Sequence, residues 1–337
     1  MTHVVVSTPS RLHFGLLRLH EAPGRSYGGL GMMIDRPRVE LQLAAAPEWS
    51  VNGPGAKRAA AFAKRALNSL DLPVKPSALH IEIRSIVPQH RGLGGGTQLA
   101  LAIAAGLREL VGLPPGSATE LAAAVGRGAR SAVGSHGFVH GGLIWERGRT
   151  SKSPLSDLTE RVALPSEWRI VLVTPPRGRG LSGTAERRAF NSLPPVPAVV
   201  TQQLELLAEQ RILPAATAAD VDAFGEAIHE YGRIAGDCFA AVQGGPYASP
   251  ETAACVDALR SMGVRGVGQS SWGPTVFAIT PSMAAAANVA KSLSESESWS
   301  KYAIDIASAD NTGAQLKTVA SESQPPGAAS RTAWQSG

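Results

Sequence analysis

Between residues 88 and 107 the chain reads "PQHRGLGGGTQLALAIAAGL", a glycine-rich polar turn that runs straight into an Ala/Leu stretch. Upstream, "ALHIEIRSIVP" (78–88) alternates Leu79, Ile81 and Ile83, the period of a half-buried strand; downstream, the apolar residues predict a helix over 97–111. A strand that feeds a helix through glycines leaves the first helical N–H groups bare, and the helix dipole adds partial positive charge there. Such a junction suits either a bound anion or a structural turn with close helix–sheet packing. His90 and Arg91 add donors beside it. No GKS or GKT follows, which excludes a Walker A loop, and G-x-G-x-x-G is not met in register from Gly92, which excludes a Rossmann fingerprint.

The first half alternates strands and helices. "HVVVS" (3–7) and "RVELQLA" (38–44) predict strands, and "GAKRAAAFAKRALNSL" (55–70) predicts a helix stopped near Pro73. A helix over 117–128 is expected, with Ser117 or Thr119 as cap and Glu120 in its first turn. "GFVHGGLIWE" (137–146) reads as a strand pair or hairpin. The polar run "ERGRTSKSPLSDLTE" (146–160) marks the expected boundary between units of residues 1–160 and 161–320. The second unit opens with the strand "WRIVLVTPP" (168–176) and continues through helical segments near 184–192, 199–210, 217–241 and 250–262. It closes with a strand (273–280), a helix (283–294) and a strand (302–308), and residues 321–337 have the composition of a disordered tail.

At 337 residues, 44% hydrophobic and 18% charged, the chain has material for two modest units with an ample core. No run approaches the ~18 apolar residues of a membrane span, and the start lacks the basic-then-apolar order of a secretory signal. Cys238 and Cys255 show no metal-like spacing and read as reduced core thiols of a cytoplasmic protein. The net charge of +5 rests on 25 Arg against 7 Lys. Arginine presents a planar fork to phosphate and carboxylate groups, although GC-rich coding produces the same bias. The arginines are scattered, with no basic tail and no aromatic-interleaved stripe. That argues against nucleic acid and for a small anionic ligand.

The order Pro-x-x-x-Gly-Leu-Gly, small residues, Ala-rich helix resembles the phosphate loop of the GHMP kinase superfamily. "TPSRLHFGLL" (8–17) and "GVGQSSWGPTVFA" (266–278) resemble that superfamily's N-terminal and C-terminal motifs, in the expected chain order. The resemblance implies an α+β, two-lobed fold with a ribosomal-protein-like N-terminal lobe and a ferredoxin-like C-terminal lobe. The kinase chemistry does not carry over. Where such kinases place Ser-Ser, the second serine a magnesium ligand, this chain has Gly95 and Gly96, with Thr97 one place late. Where many of them carry an Asp as presumed base, "SAVGSHGFVHGG" (131–142) has Gly134, which neither accepts nor holds a proton.

These departures resemble a narrower group on the same fold. "HRGLGGGTQLALA", "GRGARSAVGSHGFVHGGLI", "GLSGTAERRAF" and "GQSSWGPTVFA" carry the likeness, with Gly95 standing where the group's usual loop has Ser. The resemblance implies condensation of phosphoribosyl pyrophosphate with 4-aminobenzoate in tetrahydromethanopterin biosynthesis and one-carbon metabolism, with release of carbon dioxide and pyrophosphate. It also implies a cytoplasmic homodimer with small-molecule substrates, without nucleic acid or membrane partners, and Mg²⁺ accompanying the pyrophosphate. Metal ligands stay open; Asp35 and Glu186 are the acids next to motif residues.

On this resemblance the expected catalytic residues are Arg11, His13, Arg130 and His136. The expected phosphate- and substrate-binding residues are His90, Arg91, Gly92, Leu93, Gly94, Gly95, Gly96, Thr97 and Gln98 in the loop, with Gly28 and Gly29 before it. Ser131 and Ser135, Ser182 and Gly183, and Gln269, Ser270, Ser271, Trp272 and Gly273 complete the set. Trp272 either stacks on the aromatic acceptor or serves the core, and His140 is equally a structural histidine. Two further readings remain open: an ATP-dependent kinase that uses Thr97 at the metal, and a non-catalytic metabolite-binding protein. 4-Hydroxybenzoate shares the para-directing logic of 4-aminobenzoate.

Overall fold

A computed structural model of the chain describes residues 2–21, 24–176, 188–190 and 192–320. Its first sheet is built on two long antiparallel strands, β1 (Thr2–Leu16) and β2 (Gly29–Ala46). Both outrun the strands expected at 3–7 and 38–44. Pro9 falls where the β1–β2 register shifts between Thr8 and Ser10, so its missing N–H breaks no regular ladder bond. β3 (Ser50–Asn52), β4 (Ala78–Ser85), β5 (Leu143–Glu146), β6 (Glu160–Val162) and the last strand, β11 (Gln315–Ala320), complete a seven-stranded sheet. Its order is β11-β1-β2-β4-β3, with β5 on the other half of β2 and β6 beyond β5.

Four helices accompany this sheet: α1 (Ala56–Ser69), α2 (Gly95–Leu110), α3 (Ala118–Val125) and α4 (Val133–His140). Every residue of α2 from Gln98 to Leu107 is buried, because it lies between β1 and β2 on one side and α1, α3 and α4 on the others. At Gly106 a Cβ would overlap Leu43, so the helix touches the sheet almost backbone to side chain. The capping box of α3 forms as expected: the Glu120 N–H donates to Ser117 Oγ at 3.2 Å and the Ser117 N–H to Glu120 Oε2 at 2.7 Å.

The strand pair expected at 137–146 is only half a strand. Residues 137–140 end α4, and β5 begins at Leu143 after the left-handed turn at Gly141 and Gly142. Two glycines, a serine and two histidines make α4 a weak intrinsic helix. Packing holds it: Val133 and Phe138 are buried, and Gly137 yields the space taken by the Met33 thioether.

A second, four-stranded antiparallel sheet is formed by β7 (Arg169–Thr174), β8 (Gly266–Gln269), β9 (Val276–Thr280) and β10 (Ala303–Ser308), in the order β10-β7-β9-β8. Between the sheets in sequence run α5 (Ala198–Leu207), a π turn (Ala208–Ile212), α6 (Leu213–Thr217), α7 (Val221–Asp237), α8 (Ala240–Gln243) and α9 (Pro250–Ser261), with α10 (Met283–Glu295) following β9. The expected helix at 184–192 falls largely, and the tail from 321 wholly, outside the described residues.

α7 ties the two sheets together. Gly225 lies against Gly266 of β8, where a Cβ would stand 2.5 Å from the Gly266 nitrogen, while Ala235 fills the space over Gly15 of β1. One apolar core runs from the first sheet through α5, α6 and α7, and a second lies between the four-stranded sheet and α9 and α10. Among the described residues no helix is long and apolar enough to cross a membrane.

Candidate active site

The glycine turn arrives at α2 through three left-handed residues, His90 (φ 60°), Gly92 (φ 82°) and Gly94 (φ 72°). Gly94 is the N-cap and offers no side-chain acceptor, and the earliest helical bonds run from Thr97 and Gln98 back to the Gly94 carbonyl. The N–H groups of Gly95 and Gly96 therefore open outward at the positive end of the helix dipole. The two glycines differ in what surrounds them. A Cβ on Gly95 would stand 2.6 Å from Val87 Cβ, and one on Gly96 would overlap the guanidinium of Arg58. The flexible tip of an arginine from α1 thus reaches the space that a side chain at position 96 would enter. Gly134 is the opposite case: its nearest neighbours, Thr97 Cγ2 and Arg11 Cδ, lie 3.5 and 3.6 Å from a built Cβ, ordinary contact distances. Position 134 has room for a Cβ, and the chain carries none there.

Three motifs far apart in sequence meet at this turn. The Arg11 N–H of β1 donates to the Leu93 carbonyl at 3.1 Å, and the Ser271 N–H donates to the His13 carbonyl at 2.9 Å. Ser270 Oγ accepts from the His13 N–H at 3.1 Å and donates to the Gly92 carbonyl at 2.9 Å. Where the loops cross, a Cβ on Gly92 would overlap the Ser270 carbonyl oxygen and one on Gly273 would overlap the Arg91 backbone. Glycine at both positions lets two backbones touch. Ser271 is itself left-handed, at φ 54°, a strained state for a residue with a side chain.

The turn forms one wall of a cleft of about 730 Å³. Five arginines line it (Arg11, Arg58, Arg91, Arg127 and Arg130), together with His13, His90 and Thr97, and no carboxylate does so among the described residues. Part of the lining is aromatic. Trp272 stacks on Phe190 with ring centroids 5.0 Å apart and 14° between planes, and Phe239 meets Trp272 edge-on at 4.9 Å. The guanidinium of Arg130 lies over Phe190, 4.6 Å from the ring centroid. The indole Nε1 of Trp272 is buried and has no hydrogen-bond acceptor among the described residues.

Of the expected site residues, the cleft gathers Arg11, His13, Arg130, Ser131, Gln269, Ser271, Trp272 and the run from His90 to Thr97. Gln98 is fully buried behind the loop and donates to the Gly134 carbonyl at 2.9 Å, so it joins α2 to α4. Ser270 and Gly273 serve the loop crossing. Gly28 packs against the Arg147–Gly148 backbone, whereas a Cβ on Gly29 would come within 3.1 Å of the His13 imidazole.

His136, expected as catalytic, faces away from the cleft. It is buried, its Nε2–H donates to the Ser156 carbonyl at 2.8 Å, and its ring stacks on His140. Burial lowers its pKa, so it is a neutral structural group. Ser135 is likewise buried off the cleft. Ser182, Gly183 and Glu186 lie outside the described residues.

Sequence reasoning passed over Arg58, Arg127, Phe190, Phe239 and Glu146. The first four sit on helices or turns whose local pattern reads as ordinary surface or core. Glu146 carried one signal: a charged residue ending the apolar run "GGLIW". It is fully buried, and its carboxylate accepts from the Ala132 N–H at 2.9 Å and the Gly148 N–H at 3.2 Å. Burial pushes its pKa up to about 7 despite those bonds. His13 is held well below the usual histidine range, first by burial and then by neighbouring Arg11.

The described residues do not build a protein cage for magnesium. No group of three or more His, Cys, Asp or Glu side chains among them is arranged to hold a metal. Asp35 lies outside the cleft, where it accepts from the Ser308 N–H at 2.8 Å and pairs with Arg36.

Residues 56–142 match the GHMP kinases N terminal domain and residues 212–297 the GHMP kinases C terminal domain. A homoserine kinase from Cytophaga hutchinsonii superposes with a TM-score of 0.63 at 15% identity, covering 94% of this chain and 97% of its own. A mevalonate-3-kinase from Thermoplasma acidophilum does so at 0.62 and 14%, covering 94% and 98%. The fold and its glycine turn are those of the GHMP kinase class. Over 299 residues the chain is 31% identical to the β-ribofuranosylphenol 5′-phosphate synthase of Methanothermobacter thermautotrophicus, covering 82% of this chain and 88% of that protein. It is 29% identical to the synthase of the same name from Archaeoglobus fulgidus, with the same coverage. The chain belongs to the family of these synthases.

Proposed function

We propose that this protein is a decarboxylating phosphoribosyltransferase. It condenses phosphoribosyl pyrophosphate with a para-substituted benzoate, 4-aminobenzoate or its 4-hydroxy analogue, and releases carbon dioxide and pyrophosphate on the route to tetrahydromethanopterin. The observation that carries this reading is the make-up of the cleft: five arginines around a bare helix N-terminus, no acid among the described lining residues, and an aromatic cluster in the same lining. A kinase of this fold needs an acid or hydroxyl at the metal and a base for the alcohol. Glycine stands at 95, 96 and 134, and a guanidinium fills the space beside 96.

The donor carries two anionic clusters, and the cleft offers N–H groups and guanidinium forks in number. As pyrophosphate departs, positive character grows on the anomeric carbon and negative charge on the leaving oxygens. Donors already aimed at those oxygens stabilise the transition state without reorganising. Mg²⁺ bound to the pyrophosphate would add charge neutralisation there, carried in by the donor, since the described residues offer it no carboxylates. The acceptor brings its own nucleophile, the ring carbon that bears the carboxylate, made electron-rich by the para substituent. That carbon bonds to the anomeric carbon, the carboxylate leaves as carbon dioxide, and the pair from the broken bond restores aromaticity. No ring proton has to be removed. The face of Trp272 turned away from Phe190 offers a stacking surface for the acceptor, and Arg130, across the Phe190 ring, a cation near it.

Names of the relatives specify a phenol product, and the sequence resemblance implied an aminobenzene. Both acceptors are therefore supplied, carboxyl-labelled, with phosphoribosyl pyrophosphate. Release of labelled carbon dioxide with either supports the reading. ADP formation from ATP without carbon dioxide release would replace it with the kinase.

A further inference from the structure

Helix α7 carries three glycines, and two of them have a structural cause. A Cβ on Gly225 would stand 2.5 Å from the Gly266 nitrogen, and one on Gly236 would overlap the Pro246 carbonyl oxygen. At both positions another stretch of backbone touches the helix, which only glycine permits. Gly232 has no such cause. It lies in the helix interior and its φ is not positive. Among the described residues, the one atom outside the helix within 4 Å of a built Cβ is the Phe14 carbonyl oxygen, at 3.7 Å. That is an ordinary contact distance, so alanine would fit. A glycine there weakens the helix relative to alanine, because its backbone has more freedom to lose on folding.

Gly232 does line the cleft. Ala235 and Gly236 follow it three and four residues on, the spacing of one helical face, and Phe239 comes just past the end of the helix; all three line the same cleft. Phe239 meets Trp272 and Phe190 edge-on, with ring centroids 4.9 and 5.7 Å apart. α7 supplies no charged side chain to the lining, since Arg233 is exposed and pairs with Asp237 at 3.3 Å. The five lining arginines come instead from β1, from α1 and from the turns that precede α2 and α4. This face of α7 therefore belongs to the uncharged, aromatic part of the cleft.

We propose that Gly232 is a specificity-determining residue, which keeps open the space beside α7 that the flat ring of the aromatic acceptor enters. A methyl group at 232 would project into that space and leave the arginine-lined part of the cleft as it is. The helix gives up intrinsic stability at this position, and what is gained appears only when the ring is bound. The choice of an aromatic acceptor as the guest rests on the proposed function.

Gly232→Ala in the full chain tests this by stability and by kinetics. The midpoint of thermal unfolding, without ligand, should rise by about 2 °C, the gain of a helix-interior alanine over glycine. With carboxyl-labelled 4-aminobenzoate or 4-hydroxybenzoate, the acceptor KM should rise about tenfold, while the phosphoribosyl pyrophosphate KM stays within about twofold and kcat changes less than the acceptor KM. Gly232→Leu should raise the acceptor KM about a hundredfold and still bind phosphoribosyl pyrophosphate by calorimetry. A lower midpoint, or an alanine variant that does not fold, would mean that packing requires the glycine, and overturns the proposal. An unchanged acceptor KM, or an equal rise for donor and acceptor, overturns it as well. Each of these leaves the transferase reading standing so long as the unmodified protein releases labelled carbon dioxide. If the unmodified protein releases none, that reading falls and the proposed guest falls with it.

Discussion

Replacing Glu146 with Gln should change how stability depends on pH, and the size of the change follows from the burial of one carboxyl group. In the folded chain its pKa is about 7, against 4.5 for an ordinary glutamate, because desolvation outweighs its hydrogen bonds. The folded state therefore holds a proton between these values after the unfolded state has released it. With more protons bound in the folded state, unfolding free energy falls as pH rises through this window, and the loss is complete above the folded pKa. That difference corresponds to about 3 kcal/mol in full, most of which falls between pH 5 and pH 8. Gln has the same shape and does not titrate, so this component disappears in the variant, while every other group titrates as before.

Urea unfolding followed by tryptophan fluorescence, with fully buried Trp145 as the adjacent reporter, measures both proteins across that range. The unmodified protein should lose roughly 2 to 3 kcal/mol relative to Glu146→Gln between pH 5 and pH 8. Parallel stability curves over the whole range would refute the reasoning, since they would mean that Glu146 ionises as readily inside as outside.

The remaining predictions concern the cleft. Gly273→Ala sets a methyl group against the Arg91 backbone and should cost about 3 kcal/mol by thermal or urea unfolding, together with weaker donor binding; an unchanged midpoint would mean that the loops do not cross there. Arg58→Ala removes the guanidinium beside Gly96 and should weaken phosphoribosyl pyrophosphate binding about 10- to 100-fold by calorimetry, the scale of one charge-assisted hydrogen bond, with little change in acceptor binding. Trp272→Ala should raise the acceptor KM about tenfold and leave donor binding nearly unchanged, whereas Trp272→Phe keeps a stacking face and should recover most of the loss.

The fold was legible from local pattern wherever one residue's environment depends on its near neighbours. The helices at 55–70, 97–111 and 250–262 appear within a few residues of their expected limits, and Ser117 caps α3 with the box that its spacing to Glu120 implies. The pattern misled at 137–140. Val139 and His140 look extended, but packing of α4 against α2 and α3 makes that stretch helical. His136 misled in the same way. Its place in a motif suggested chemistry, and its orientation, set by the turn of α4, delivers it to the Ser156 carbonyl.

By itself the sequence determined the glycine turn before an apolar helix, the absence of acid and hydroxyl at the positions a kinase uses, and the order of the three motifs. These are properties of residue type and spacing, and they survive any arrangement of the rest. Only the tertiary structure decided that Gly92 and Gly273 touch and that Arg58 from α1 fills the space over Gly96. It alone placed Phe190 and Trp272 face to face and Glu146 behind Ser131 and His13. Each of these rests on contact between residues remote in sequence. Such contacts are fixed by which faces of helix and sheet bury together, and no local periodicity carries that information.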